Sequence, residues 1–189
     1  MANYFVLSNF GVRYFISDYT SVGAVPAVGK IENEIQDVLS CDIGAFTKET
    51  TKYRTLNSNG WESIASLGNT AEDATFECVR GGDGNVYDGD ADSGDTYSKI
   101  KHWFLAATKS AGVSSPKCIV EIVPRGDNEY EGTCYYVVPN KWTPGTKDPE
   151  KGQEYSFTVS LFGPPTVLKV THTPASGETA ESFSFTAVE

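Results

Sequence analysis

Three aspartates at alternate positions are the residues that most directly invite a metal-binding interpretation. Asp88, Asp90 and Asp92 have the oxygen-ligand spacing with which an EF-hand calcium loop begins. The rest of that motif is missing, because the sharp-turn glycine falls one position late, at Gly94, and Lys99 stands where a bidentate glutamate belongs. We therefore predict neither a metal site nor a cofactor.

The same stretch, residues 81 to 96, holds five acids and no base. Gly81–Gly84 resembles one copy of a calcium-binding β-roll repeat, but the repeat occurs once and Val86 replaces its aspartate. Loops longer than about 12 residues in a compact domain are often functional or mobile. We predict a solvated or interface-facing acidic loop here.

Two other chemical signatures fail when their spacing is counted. Gly23–Lys30 resembles a phosphate-binding loop, but five residues separate its glycines instead of four, and Ile31 stands where Ser or Thr would hold magnesium. His102 and His172 are the two histidines, and neither lies in a catalytic serine or zinc motif. We predict a protein that is not an enzyme, although a carboxylate pair for glycoside hydrolysis stays open among 25 acids.

The three tryptophans have different surroundings. Trp103 lies in a helical pattern and is predicted to be core, whereas Trp61 and Trp142 are flanked by polar and turn residues. An exposed tryptophan on a β-sandwich marks either a protein interface or a platform for sugars. A carbohydrate-binding or adhesion module is therefore an alternative function.

Charge and composition exclude several protein classes. The 189 residues carry a formal net charge of -10 and are 39% hydrophobic, as in a globular protein and unlike an acidic disordered tail. A DNA-gripping protein needs a basic face, which the 15 bases do not form. The chain shows no secretory leader and no membrane-spanning run, so we expect cytoplasmic synthesis without export.

The four cysteines are too far apart in sequence for a C-x-x-C metal or redox motif. Each lies in or beside an apolar, strand-like segment. We predict buried, reduced thiols, with a disulfide pair as the main alternative. These residues are Cys41, Cys78, Cys118 and Cys134.

Most segments alternate polar and apolar residues with the period of β-strands. About eight to ten short strands separated by Gly, Pro and Asn turns are typical of a sandwich or barrel. The predicted strands are Lys30–Leu39, Ala45–Leu56, Ala74–Val79, Lys117–Val123, Tyr130–Val138, Tyr155–Phe162, Thr166–Thr173 and Ser182–Val188.

One segment, at about residues 96–111, has helical periodicity, with Asp95 or Thr96 as its cap and Gly112 at its end. The predicted fold is mainly β: a β-sandwich or barrel of antiparallel strands flanked by this helix, in a single domain over residues 1–189. A long extended loop is predicted at about residues 50–72.

These features together resemble the tail tube (major tail) proteins of long-tailed bacteriophages, the siphophages. The resemblance covers most of residues 30 to 170 and rests on architecture more than on signature residues. It is carried by an acidic domain of this size, one helix beside many strands, and the segments Tyr53–Glu62, Ser66–Gly68, Ala74–Arg80, Ile122–Pro124, Val138–Gly145 and Tyr155–Pro165.

The resemblance implies a structural virion protein. Subunits of that family form hexameric rings that stack into a hollow tube, through which double-stranded DNA passes at ejection without specific binding. Further implied partners are a tape measure protein inside the tube, and tail terminator and distal tail proteins at its ends, with no membrane. The implied location is the virion tail tube, after synthesis in the host bacterial cytoplasm.

The resemblance also assigns residues to these roles. The long loop would reach an adjacent ring through Tyr53, Arg54, Leu56, Trp61, Glu62 and Leu67. An acidic lumen would let DNA slide, because the duplex carries about one negative charge per 1.7 Å. The candidate lumen or rim acids are Glu32, Glu34, Asp37, Asp83, Asp88, Asp90, Asp92 and Asp95.

Overall fold

Antiparallel strands make up most of the described chain in the computed structural model. It describes residues 11–26, 28–30, 33–53, 63–80, 96–109, 115–126, 129–145, 153–177 and 180–188. The strands are β1 Arg13–Asp18, β2 Val28–Lys30, β3 Val38–Ile43, β4 Phe46–Tyr53, β5 Ser63–Ala71, β6 Ala74–Val79, β7 Lys117–Gly126, β8 Glu129–Thr143, β9 Glu154–Leu161, β10 Thr166–Thr173 and β11 Ser182–Ala187, and helix α1 is Thr96–Lys109.

The long strand β8 organises a nine-stranded sheet. Its first part, Glu129–Val137, pairs with β7 on one side, and β7 pairs in turn with β1. Its other side pairs first with β10 and then, from Val137 to Thr143, with β9. Beyond β10 the sheet continues with β11 and then β2, and beyond β9 it continues with β6 and then β3. The described sheet is thus open, which supports the sandwich and not the closed barrel.

Two apolar clusters lie on opposite faces of β7, because alternate residues of a strand point to opposite sides. The helix-side cluster contains Tyr14, Ile35, Ala74, Phe76, Cys78, Tyr97, Ile100, Trp103, Phe104, Ile119, Val137, Tyr155, Phe157 and Val159. The opposite cluster contains Phe15, Cys118, Val120, Ile122, Cys134, Tyr136, Leu168, Phe183 and Phe185.

Helix α1 covers the helix-side cluster, as the 3.6-residue periodicity predicts. Tyr97, Ile100, Trp103 and Phe104 are buried, and the Trp103 indole Nε1 donates a hydrogen bond to the carbonyl oxygen of Ser115 at 2.6 Å. The core assignment of Trp103 is confirmed. The predicted last helical residues, 110 and 111, lie outside the described part.

Strands β6 and β10 have the predicted bounds, whereas β7 and β8 continue beyond their predicted ends, Val123 and Val138, and past the prolines that follow them, Pro124 and Pro139. The register of β7 shifts between Pro124 and Gly126, and that of β8 shifts between Pro139 and Lys141. A proline lacks the amide hydrogen that a sheet ladder needs, and it is tolerated at bulges.

The predicted strand Lys30–Leu39 is interrupted. Among its described residues, which leave out 31 and 32, only the two ends are strand, in β2 and β3. Between them Glu34 forms an isolated bridge with Phe15, and Asp37 has a φ of 52°. A left-handed backbone cannot continue a strand, so the chain turns before β3.

The predicted extended loop at residues 50–72 is largely a hairpin. Strands β4 and β5 form a separate two-stranded sheet, paired from Phe46–Ala71 to Tyr53–Ser63. The connection, residues 54–62, lies outside the described part. Strand β4 lies within the predicted strand Ala45–Leu56. No strand is predicted at β5, because Ser63–Ala71 lacks a period-2 apolar pattern and its described side chains are not buried.

Candidate assembly and channel surfaces

The β4–β5 hairpin continues the β3–β6 pair as a separate sheet. Pairing of β3 with β6 ends at Ile43 and Ala74, and two-residue connections, Gly44–Ala45 and Glu72–Asp73, lead into the hairpin. Described side chains are exposed on both of its faces, including Thr47 and its neighbour Lys48. An isolated two-stranded hairpin is at best marginally stable in water. This exposure marks the hairpin as a candidate binding surface.

Two side chains attach the hairpin base to the sheet. The ring of Phe46 stacks on Tyr135, with centroids 6.2 Å apart and planes 17° from parallel. Asn140 Nδ2, at the β8 bulge, donates a hydrogen bond to Asp73 Oδ2 at 2.5 Å. A groove of about 490 Å³ separates the hairpin from the turn Leu161–Pro165.

The residues predicted to contact an adjacent ring fall partly on this hairpin. Tyr53 ends β4. Leu67 is the extra residue of a β-bulge, because Glu49 pairs with Gly68 and Thr50 pairs with Ser66. The other four predicted contacts, Arg54, Leu56, Trp61 and Glu62, lie outside the described residues.

A second surface, here called the hydroxyl face, is the outer side of β3, β6, β9 and the end of β8. Buried residues alternate along β9 with Glu154 and the half-exposed hydroxyl side chains of Ser156, Thr158 and Ser160. Along β6 they alternate with Thr75, Glu77 and Val79. Thr75 and Thr158 hydrogen bond to each other at 3.1 Å. The face consists of Ser40, Asp42, Thr75, Glu77, Val79, Val138, Lys141, Thr143, Glu154, Ser156, Thr158 and Ser160.

The hydroxyl face carries more carboxylates than amines. Asp42, Glu77 and Glu154 oppose a single lysine, Lys141. Sequence reasoning did not single out these three acids. The signal was available in Tyr155–Leu161, where Ser and Thr alternate with apolar residues, but the sequence does not show which strands lie side by side.

The acids predicted for a lumen or rim do not form one cluster in the described part. Glu34 accepts two hydrogen bonds from the Arg13 guanidinium, whereas Asp37 is exposed just before β3. The other six, Glu32, Asp83, Asp88, Asp90, Asp92 and Asp95, lie outside the described residues.

Arg13 is the centre of an ionic cluster that joins β1 to the C-terminal strands. Its Nη1 donates to Glu181 Oε2 at 3.0 Å, and Glu181 Oε1 lies 2.7 Å from His172 Nε2. Burial raises the pKa of the Glu181 carboxyl, but the hydrogen bonds from Arg13 and His172 outweigh it, so its pKa lies below the usual value. His172 stacks on Phe183, whereas His102 is exposed.

A buried polar group lies beneath the hairpin base. The Glu121 carboxylate accepts hydrogen bonds from the hydroxyls of Tyr14 at 3.1 Å and Tyr135 at 3.0 Å. Burial, followed by the nearby charge of Glu121, raises the pKa of Tyr135. Burial likewise raises the pKa of the Cys41 thiol to about 12. The Tyr14 and Tyr135 hydroxyls stay protonated near neutral pH and hold the Glu121 carboxylate in place.

The four cysteines are free thiols, as predicted, and Cys41 is half-buried while the other three are buried. Burial raises the pKa of Cys78 to about 12. A hydrogen bond between the thiols of Cys118 and Cys134 is the main reason that the pKa of Cys134 is raised.

Gly23 and Trp142, singled out for nucleotide and sugar chemistry, have structural partners, whereas Trp61, Asp88, Asp90 and Asp92 lie outside the described residues. The amide of Gly23 donates to the Tyr136 hydroxyl at 2.8 Å. Trp142 is half-buried and packs against the rings of Tyr97, Phe104 and Tyr155. Within the described ranges, no three His, Cys, Asp or Glu side chains are grouped to hold a metal ion.

No helix in the described part of the chain is long and apolar enough to cross a membrane.

Comparison with known proteins gives a likeness of fold. No protein-family model matches the chain, and no curated protein matches it in sequence. The fold is similar to a chain in the cryo-EM structure of the anti-feeding prophage (AFP) baseplate, 6-fold symmetrised. The TM-score is 0.50 at 11% identity, and the match covers 89% of this chain and 98% of that chain. At this identity the match shows that the two chains share a fold.

Proposed function

We propose that this protein is a structural, non-catalytic subunit of a phage tail or tail-like particle, and specifically that it forms the tail tube of a siphophage. Copies assemble as hexameric rings that stack into a hollow tube. The observation that carries the proposal is the unsupported β4–β5 hairpin, exposed on both described faces and continuing the sheet as a separate two-stranded element. The fold likeness to a chain of a six-fold symmetrised baseplate adds support.

Ring formation is supported by two open strand edges. In the described part β3 pairs only with β6, and β8 beyond Val137 pairs only with β9. Open edges are liabilities unless another chain covers them. A head-to-tail contact that joins the β3 edge of one copy to the β8 edge of the next closes into a ring if the rotation permits.

The hydroxyl face lies between these two edges, so joining them places it on a continuous surface around the ring. We assign that surface to the lumen. Duplex phosphates would find hydroxyls and an excess of carboxylates there, without the cluster of bases that holds DNA. DNA would slide past such a wall without specific binding.

The hairpin supplies the contact between rings. In the assembled particle a tape measure protein occupies the tube before ejection, and terminator and distal tail proteins cover its ends. The protein acts in the virion after synthesis in the bacterial cytoplasm.

Negative-stain electron microscopy of the purified protein at rising concentration tests the proposal. Wild-type protein is expected to form rings and tubes. A variant in which Asn-Gly replaces residues 51–65 keeps the base of the hairpin, because Thr50 pairs with Ser66 and Asn-Gly makes a tight two-residue turn. It is expected to form rings without tubes.

The matched control is Lys169→Ser, which changes an exposed residue of β10 outside both surfaces. It should leave tubes unchanged. A monodisperse wild-type monomer at all concentrations would contradict self-assembly, and tubes of normal length from the shortened hairpin would contradict its role between rings.

A further inference from the structure

We infer that Phe46 and Asp73 are positioning residues that set the angle of the β4–β5 hairpin relative to the sheet. This inference rests on the proposed function, because it assigns the angle to the docking of one ring on the next. The two residues lie at the start of β4 and just beyond the end of β5, so each anchors one strand of the hairpin.

The hairpin has a hinge at its base. Strand pairing stops at Ile43–Ala74 in one sheet and resumes at Phe46–Ala71 in the other, and the two residues skipped on each strand belong to neither ladder. At Gly44 a Cβ atom would lie 2.4 Å from Glu72 Cβ and 2.7 Å from the Asp73 carbonyl oxygen. The two connections therefore cross in close contact, which only glycine at position 44 permits.

Two hydrogen bonds at the hinge join its two connections. Glu72 N donates to Ala45 O at 3.0 Å, and Ala45 N donates to Glu72 Oε2 at 3.2 Å. These bonds join the two connections to each other and leave the angle to the sheet free. The groove of about 490 Å³ beside Leu161–Pro165 leaves the hairpin without close packing on that side.

The Phe46–Tyr135 stack and the Asp73–Asn140 hydrogen bond do connect the hairpin to β8. Tyr135 is held in turn by its hydroxyl on Glu121 Oε2 at 3.0 Å, and Asn140 also donates to Ser160 Oγ at 3.1 Å. Both anchors thus rest on side chains with fixed partners. Because Tyr135 is held in place, its stack with Phe46 limits the tilt of the Phe46 ring and its distance from Tyr135.

Double electron–electron resonance spectroscopy on the unassembled subunit tests the inference. Spin labels at Thr70→Cys on the hairpin and Thr171→Cys on β10 report the distance between the two elements, and wild type without added cysteines checks that the native thiols stay unlabelled. The distance distribution should be narrow in this background. It should broaden in Phe46→Ala and further in Phe46→Ala/Asp73→Ala.

Further variants show whether Phe46 orients the hairpin or is required for the hairpin to fold. Phe46→Tyr keeps the stack and should keep the narrow distribution, as should Thr47→Ala on the opposite face of β4. In Phe46→Ala, hydrogen exchange of β4–β5 amides should quicken by no more than about 2- to 10-fold, the range for losing one aromatic pair. Complete loss of protection would show that Phe46 folds the hairpin instead of orienting it, and would overturn the inference.

The results also distinguish this inference from the proposed function. A wild-type protein that forms no tubes refutes the proposed function, while the distance measurement on the subunit still decides whether the anchors set the angle. An unchanged distribution in the double variant overturns the positioning role. Tubes of normal length from a variant with a broadened distribution overturn the link between hairpin angle and ring docking.

Discussion

Arg13 and Glu34 form a two-point ion pair in which Nε and Nη2 of the guanidinium donate to the two carboxylate oxygens at 2.7 and 2.6 Å. The pair ties β1 to the turn that precedes β3, and the second carboxylate on Arg13, that of Glu181, extends it to the segment before β11. Three segments far apart in sequence therefore depend on one side chain.

Replacing Arg13 by lysine should lower the free energy of unfolding by about 1–2 kcal/mol, because a lysine ammonium cannot make the two-point contact. Urea unfolding at pH 7 measures this change. Lys169→Arg, an exposed exchange on β10, is the control and should change stability by less than about 0.5 kcal/mol. Equal stability of the two variants would contradict a structural role for the pair.

The lowered pKa of Glu181 predicts a dependence on acid. A carboxyl whose pKa is lower in the folded than in the unfolded protein stabilises the fold above its unfolded value, near 4.5, and this stabilisation is lost as the pH falls through the folded value. Stability should fall from pH 5 to pH 3, and less steeply in Glu181→Gln. Glu129→Gln, an exposed change, should keep the wild-type slope, and an unchanged slope in Glu181→Gln would disprove the assignment.

The raised pKa of Cys78 predicts that stability falls as the pH rises, which is the opposite of the pH dependence due to Glu181. Burial raises its pKa from the usual value of 9.0 to about 12, so the protonated thiol stabilises the fold below pH 9 and this contribution is lost as the pH rises towards 12. The loss should reach up to about 1 kcal/mol per pH unit. Cys78→Ala should reduce the slope of stability against pH between 9 and 11. Identical slopes in Cys78→Ala and the wild type would contradict this role of the Cys78 thiol.

The core should be sensitive at the Phe76–Phe157 stack, whose ring centroids are 4.8 Å apart with planes 6° from parallel. Phe157→Ala removes one ring from a fully buried site and should cost about 3–5 kcal/mol. Ser156→Ala, on the other face of β9, should change stability by less than about 0.5 kcal/mol. Thermal and urea unfolding measure the stability changes in both variants. A small loss of stability in Phe157→Ala would contradict the assignment of the Phe76–Phe157 stack to the core.

Lysines on the hydroxyl face should turn a sliding surface into a binding one. We expect the Ser156→Lys/Thr158→Lys variant to form tubes that retain a short fluorescent duplex, with retention falling steeply as salt rises. Wild-type tubes should release the duplex. The same two substitutions at Thr171 and Thr173, exposed on β10, are the control, and equal retention in both variants would argue that the hydroxyl face is not the lumen.

Much of the fold follows from local sequence pattern. The alternation in Thr166–Thr173 and the helical spacing of Tyr97, Ile100, Trp103 and Phe104 each place apolar residues on one face, so a short window contains the information. The strand β1 was not anticipated, because both of its faces are buried: Tyr14 points into the helix-side cluster and Phe15 into the opposite one. A strand buried on both faces has no period-2 pattern.

The candidate surfaces were harder to predict than the elements. The predicted strand Ala45–Leu56 covers β4, but the hairpin also needs its partner β5, whose sequence has no apolar alternation that indicates a strand. The prediction of Glu34 as a lumen or rim residue rests on its charge and on its alternation with Glu32 along one strand face, whereas its partner Arg13 lies 21 residues earlier in the chain. Trp142, which polar and turn residues flank in the sequence, is half-buried, because three rings from α1 and β9 pack on it.

The amino-acid sequence by itself determined the acidic charge, the antiparallel β class with one helix, and the burial of Trp103 and the thiols, because charge is additive and periodicity is local. Only the tertiary structure decided that β8 joins the two halves of the sheet, that Ser, Thr and three acids share one outer face, and that Phe46 stacks on Tyr135. Those relationships depend on strand order and register, which are set by contacts between residues distant in sequence.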